Sequence, residues 1–182
     1  LTTMQAYNRP LHEWFKLIEL GQLTLPKFQR FEAWSYNEIS NLLRSMLRGL
    51  PTGAALILRV DGEEQFRSKY LAGAPKVGRN VTEQLLDGQQ RLTAMWKSLN
   101  NLYTNRTYLV SIDKVTINNE INPSEYLKLN EIEVVAQAIY DKKGNTYPMW
   151  VNDPRECWAR GLIPVSLLRP VDISKEKKAW LK

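Results

Sequence analysis

The chain has 182 residues, of which 43% are hydrophobic, and a formal charge of +6. That length allows one domain, or one domain with an appendage, and enough apolar mass for a real core. It excludes most membrane and extracellular classes: no apolar run nears the roughly 18 residues of a spanning helix, the start lacks a signal-peptide pattern, and a lone Cys157 permits no internal disulfide and fits a reducing cytosol.

One histidine and one cysteine leave no set for a zinc site. A His12–Cys157 catalytic pair lacks supporting context, so Cys157 is read as a small buried hydrophobe. The positive charge suits a polyanion such as a nucleotide or nucleic acid, or merely solubility. It is spread evenly, with 13 Lys/Arg against 9 Asp/Glu in residues 1–99 and 12 against 10 in residues 100–182. The chain starts at Leu1 rather than Met and stops at Lys182 within a helical pattern, so a piece of a longer protein is expected.

In chain order, Leu11, Trp14, Phe15 and Ile18 form one face of a first helix over Pro10–Leu20, with His12 off that face and exposed. Leu23–Phe31 alternates like a strand, and Pro26 confines it to an edge or a strand start. Ser35-Tyr36-Asn37-Glu38 has the form of a capping box. Ile39, Leu42, Leu43, Met46, Leu47 and Leu50 then make an apolar stripe that ends at Gly49 and Pro51. Arg44 and Arg48 lie on the opposite face, solvated or touching DNA. Residues 54–60 read as a buried strand and residues 61–80 as a loop or loose hairpin.

Thr82–Leu86 reads as a second strand, and Leu92, Met95, Trp96 and Leu99 as a core-facing helix. Thr107–Ile112 is a further strand and Asn118–Pro123 is turn-rich. Val134–Tyr140 and Thr146–Val151, around Lys142–Asn145, suggest a β-hairpin, with a helix over 131–140 as the alternative. Asp153-Pro154 starts a short helix that Gly161 closes. Ile163–Leu168 is an apolar connector, and Ser174 caps a last basic helix. There is no internal repeat.

Between that second strand and its helix stands Asp87-Gly88-Gln89-Gln90-Arg91, followed by Leu92-Thr93. A strand that turns into a helix at glycine presents free backbone N–H groups and the positive end of a helix dipole to an anion. Gly88 lets a phosphate approach the backbone, and Arg91 can pair with phosphate oxygens. Asp87 repels a bare phosphate, so it suits Mg²⁺ or a water, while Gln89 and Gln90 suit orientation of an attacking water. The same letters also make a helix start, since Asp87 with Gln90 is a variant capping box. There is no Walker A motif.

Four stretches taken together, Phe28-Gln29-Arg30, Trp34-Ser35, Leu47-Arg48-Gly49-Leu50-Pro51-Thr52-Gly53 and Leu86–Thr93, resemble the N-terminal domain of the GmrSD-type, DGQQR-motif family over roughly residues 5–115. The resemblance implies a mixed α/β fold like that of ParB and sulfiredoxin, a small mixed sheet flanked by helices. It implies a nucleotide-binding domain over residues 1–115; residues 116–182, read above as a hairpin and short helices, are expected to continue it. It further implies NTP binding and hydrolysis in a phage-defence restriction protein, with Mg²⁺, and DNA, including modified phage DNA, as partner.

By that resemblance Gln29 and Arg30 face the nucleotide or modified-DNA pocket, and Asp87, Gly88, Gln89, Gln90 and Arg91 form its phosphate wall. Thr93 adds a hydroxyl. Trp34 is either a base-stacking platform or, more simply, core. Phe31-Glu32 stands where the family often carries Pro-Tyr. The family's nuclease has no counterpart here, because no His/Asn/acid run with nuclease spacing exists, so cleavage is expected in a downstream or partner domain. A homo-oligomer and a cytoplasmic setting are also expected. The rival readings are a nucleotide-dependent DNA-binding switch without hydrolysis, a ParB-like nuclease, and a purely structural domain. One geometric expectation follows: Gln29 and Arg30 lie beside Gly88–Arg91.

Overall fold

The computed structural model describes residues 5–78, 80–111, 132–139 and 149–170. The chain is mixed α/β and divides into two compact units that it enters alternately. One comprises Leu1–Phe31 and Ala55–Gln89, the other Glu32–Ala54 and Gln90–Lys182.

In the first unit, helix α1 (Leu11–Glu19) buries Phe15 and Ile18 and leaves His12 exposed, as the apolar spacing requires. Strand β1 (Leu23–Pro26) lies inside a four-stranded sheet with β2 (Leu56–Arg59), β3 (Ser68–Lys69) and β4 (Glu83–Asp87), in the order β2-β4-β1-β3. Only β1 and β4 run parallel, with Leu23 opposite Glu83 and Thr24 opposite Gln84. Pro26 had argued for an edge or a strand start, yet β1 is interior and fully buried. The strand ends at Pro26, and the next donor, Lys27 N–H, continues the pairing towards β3 by bonding Arg67 O at 2.8 Å. N–H groups alternate sides along a strand, so with Lys27 N–H directed at β3 the missing donor of Pro26 lies on the other side and costs that pairing no bond. Conversely, the run at 54–60 is not a buried strand: β2 is an edge, and Leu56 is exposed.

Three buried polar side chains tie the short β3 into this sheet. Thr24 Oγ1 and Ser68 Oγ lie 2.9 Å apart, and Gln84 Nε2 donates to Ser68 Oγ at 2.9 Å and to Phe66 O at 2.6 Å. Each bond contributes about 1 kcal/mol net, but the larger penalty falls on any register that leaves such groups unpaired.

In the second unit, helix α2 (Tyr36–Leu47) starts with the expected capping box between Ser35 and Glu38 and buries Ile39, Leu42 and Leu43. Such a cap stabilises a helix by about 1 kcal/mol. Helix α3 (Gln89–Leu99) buries Leu92, Trp96 and Leu99 as its spacing predicts, and also Thr93, Ala94 and Ser98. A three-stranded antiparallel sheet has β5 (Arg106–Ser111) between β6 (Glu133–Ala138) and β7 (Leu162–Pro164). Helix α4 (Pro154–Ala159) is capped by Asp153 and buries Cys157.

Three expectations change here. Val134–Ala138 is strand, but it pairs with β5, and Met149–Asn152 is a 3₁₀ turn, so the described ends of the proposed hairpin do not form one. Arg44 and Arg48 are only part-exposed and are engaged within the unit. They bind the two carboxylate oxygens of Glu133 at 2.9 and 2.7 Å, and Arg48 also donates to Ile132 O, fastening α2 to β6. The connector 163–168 is structured as β7 and a 3₁₀ turn, Val165–Leu168. The turn-rich stretch 118–123 and the helix after Ser174 lie outside the described residues. Among the described residues no helix is long and apolar enough to cross a membrane.

Candidate functional site

Because β1 and β4 run parallel, their carboxyl ends open at the same end of the first sheet. Open α/β sheets present ligand-binding loops at that end. Here β1 continues into Lys27–Phe31, and β4 ends at Asp87 before Gly88 and α3. Two amide side chains join these segments. Gln29 Nε2 donates to the carbonyls of Leu85 and Leu86 at 2.6 and 2.9 Å, and Gln89 Nε2 donates to Arg30 O at 2.8 Å. The expected nearness of Gln29-Arg30 to this turn is therefore present, although Arg30 and Gln89 are 59 residues apart in sequence.

Gly88 alone makes the strand-to-helix turn, at φ 94°. A side chain in that left-handed conformation would cost about 1–3 kcal/mol. With no Cβ there, the first N–H groups of α3 stay open to close approach. Asp87 is exposed at the end of β4. Arg30 is exposed too, and its guanidinium makes no hydrogen bond or ion pair among the described residues. Gln29 Oε1 is buried with no donor among the described residues, an arrangement that a water or a ligand donor would relieve.

In the second unit the remaining motif residues are engaged by backbone. Gln90 Oε1 accepts from Ala33 N–H at 2.9 Å. Arg91, expected to meet phosphate, donates through Nη1 to Thr52 O at 2.9 Å and through Nη2 to Ala54 O at 2.5 Å. The guanidinium passes over Gly53, whose φ is 96°, and a Cβ built there would lie 1.9 Å from Nη1. The glycine of Leu50-Pro51-Thr52-Gly53 thus makes room for Arg91. Thr93 is 1% exposed, so its hydroxyl faces protein rather than solvent. Trp34 is half-buried.

Glu32, the departure from the family pattern, is neutralised within this unit. Its oxygens take Lys97 Nζ at 2.7 Å and Tyr103 Oη at 2.6 Å, and Lys97 Nζ sits 4.0 Å from the Tyr103 ring centre. Burial, then the hydrogen bond to Glu32, push the Tyr103 phenol far above its ordinary range, and burial pushes Tyr108 up to about 12. Sequence reading missed this triad, since its members are 65 and 71 residues from Glu32 and no local pattern links them.

Cys157 is enclosed, and burial raises its thiol pKa, as befits a core residue and not a nucleophile. No three of His, Cys, Asp and Glu gather into a metal cage among the described residues. Asp87 is the one carboxylate of this turn, so a divalent ion there would have to take most of its ligands from water or a bound molecule.

The sequence matches the family described as "GmrSD restriction endonuclease, N-terminal domain" over residues 11–156. The chain belongs to that family. The match runs past β6 into α4, well beyond the motifs that first suggested it. The chain is also 34% identical, over 85 residues, to an uncharacterized protein of Methanocaldococcus jannaschii. That similarity takes in 43% of this chain but only 15% of the relative, so the chain spans a small part of that protein's length.

Proposed function

We propose that this GmrSD N-terminal domain binds and hydrolyses a nucleoside triphosphate and so controls the DNA cleavage of a phage-defence restriction protein, with the nuclease lying outside these residues. The observation that carries the reading is the pair of side-chain amide hydrogen bonds that hold Gln29-Arg30 beside Leu85–Gln89. Arg30 supplies an uncommitted guanidinium, and Gly88 gives the phosphates access to backbone N–H groups.

Gln89 is anchored through Nε2 on Arg30 O, which turns Oε1 into a fixed acceptor able to orient a water. Asp87 would hold either that water or a Mg²⁺ bound with the nucleotide. The ion's contribution is to neutralise phosphate charge. Arg91 acts by fixing the Thr52–Ala54 turn through two carbonyls. DNA, modified phage DNA included, is the proposed regulator of turnover.

The test is phosphate release by the domain with each NTP, with and without DNA. Arg30→Ala and Asp87→Ala are expected to lose at least about a hundredfold in turnover, the low end of what a positioned charge or base contributes. Normal turnover in both variants overturns the mechanism. A nucleotide-dependent switch without hydrolysis is the second reading, favoured by Gln90, whose Oε1 is already taken by Ala33 N–H. A nucleotide-induced rise in melting temperature without phosphate release selects it.

A further inference from the structure

The first unit carries an exposed surface with a composition unlike the rest of the chain. Lys27 N–H bonds Arg67 O at 2.8 Å, which sets residues 27–31 beside residues 66–69. Those nine residues hold Phe28, Phe31 and Phe66 together with Lys27, Arg30, Arg67 and Lys69, and no acid. Four of the chain's 25 Lys/Arg fall there, a local charge of +4 against +6 for all 182 residues. Asp61, Glu63 and Glu64 lie earlier in the loop that leads to Phe66.

All three phenylalanines are left out of the core: Phe28 is 70% exposed, Phe31 87% and Phe66 39%. Burying one such ring is worth about 1.5–3 kcal/mol, so three exposed together mark a surface with a partner. The rings are also held in place. Phe28 and Phe66 meet edge to face with centres 5.2 Å apart, and Gln84 Nε2 fixes the Phe66 backbone from inside the sheet. Lys69 Nζ lies 5.1 Å from the Phe31 ring centre and donates to Gln29 O.

We propose that this surface binds single-stranded DNA, the rings stacking on unpaired bases and the cations following the phosphates. The assignment rests on charge complementarity and ring exposure. A protein partner is disfavoured, because interface cores are depleted of lysine, whereas aromatic rings set among cations are what unpaired nucleic acid requires. A duplex hides its base faces and offers these rings nothing to stack on. The inference rests on the DNA-restriction reading for its choice of polymer, but not on NTP hydrolysis.

The experiment is fluorescence anisotropy of the full 182-residue chain with labelled dT12, the matching duplex, and vesicles of anionic lipid. Binding of dT12 should exceed that of duplex, and log K should fall with log[salt] at a slope of about −3, four contacts at roughly 0.7 each. Phe28→Ala and Phe66→Ala should each weaken dT12 binding about tenfold, and Arg67→Gln should reduce the slope by about 0.7. All three side chains are exposed, and a melting curve checks that each variant is folded. Unchanged dT12 binding in both Phe variants, duplex binding as tight as dT12, or binding to vesicles alone overturns the proposal. The nucleotide-induced rise in melting temperature, measured on the same variants, should persist, which separates a failure here from a failure of the nucleotide site.

Discussion

The two ends of β4 are built to opposite specifications. At its amino end Glu83 is sealed: Arg9 Nη1 and Nη2 bond its two oxygens at 2.6 and 2.7 Å, and the side chains are only 8% and 11% exposed. Arg9 also lies 4.6 Å from the Trp14 ring centre and donates to Tyr7 Oη at 2.6 Å. The carboxylate keeps this guanidinium protonated more firmly than usual, against the opposing pull of burial. At the carboxyl end Asp87 is exposed, the chain turns at a glycine, and Arg30 is uncommitted among the described residues. One strand thus carries a buried acid used for folding and, four residues later, an exposed acid at the turn into α3. The difference separates stability from binding in the parallel pair, as sheets of this type generally do.

The largest expected effect comes from breaking the sealed end. Glu83→Ala strands a buried guanidinium and should cost about 3–5 kcal/mol in urea-unfolding stability. Replacing both partners, Arg9→Met with Glu83→Leu, should recover most of that loss, because a well-packed apolar pair avoids the desolvation cost. A double variant as unstable as Glu83→Ala alone would show that the pair's value lies elsewhere.

The next contrast sets Arg91 against Arg30. Arg91→Ala removes the bonds to the half-buried Thr52 carbonyl and the exposed Ala54 carbonyl and should cost about 1–2 kcal/mol. Arg91→Lys should rescue little, since an ammonium lacks the planar fork that spans both carbonyls. Arg30→Ala, an exposed change, should stay within about 0.5 kcal/mol of the parent while abolishing the nucleotide-induced rise in melting temperature. Equal stability losses at the two arginines would erase the distinction between scaffold and ligand.

That distinction was the part the sequence could not show. Helix spacing gave α1, α2 and α3 and their buried faces, because a period of 3.6 is a local property. The capping box at Ser35 and the Asp153-Pro154 start were legible for the same reason. The nearness of Gln29-Arg30 to Gly88-Gln89 was legible only through the joint presence of several motifs. What each motif side chain bonds was hidden, since Gln29, Gln89, Gln90 and Arg91 all reach backbone groups 37 to 59 residues away. Pro26 misled for a physical reason: its rule concerns a missing donor, and the N–H missing at Pro26 is not one that faces β3.

A second sealed carboxylate, Glu32, gives the smallest and most specific test. Tyr103 and Tyr108 both have phenol pKa values raised above the usual 10, chiefly by burial, with Tyr108 at about 12. The folded state therefore holds these protons where the unfolded chain releases them. Their contribution to stability is complete below pH 10 and is lost as the pH climbs towards the folded values. The urea midpoint should fall between pH 10 and 12. Tyr103→Phe deletes one such proton and one hydrogen bond to Glu32, which keeps Lys97, so it should cost about 1 kcal/mol at pH 7. It should also flatten the alkaline slope, because phenylalanine has nothing to ionise. An alkaline slope as steep as the parent's would mean that the Tyr103 proton contributes nothing to it, and that the loss of stability arises at Tyr108 or elsewhere.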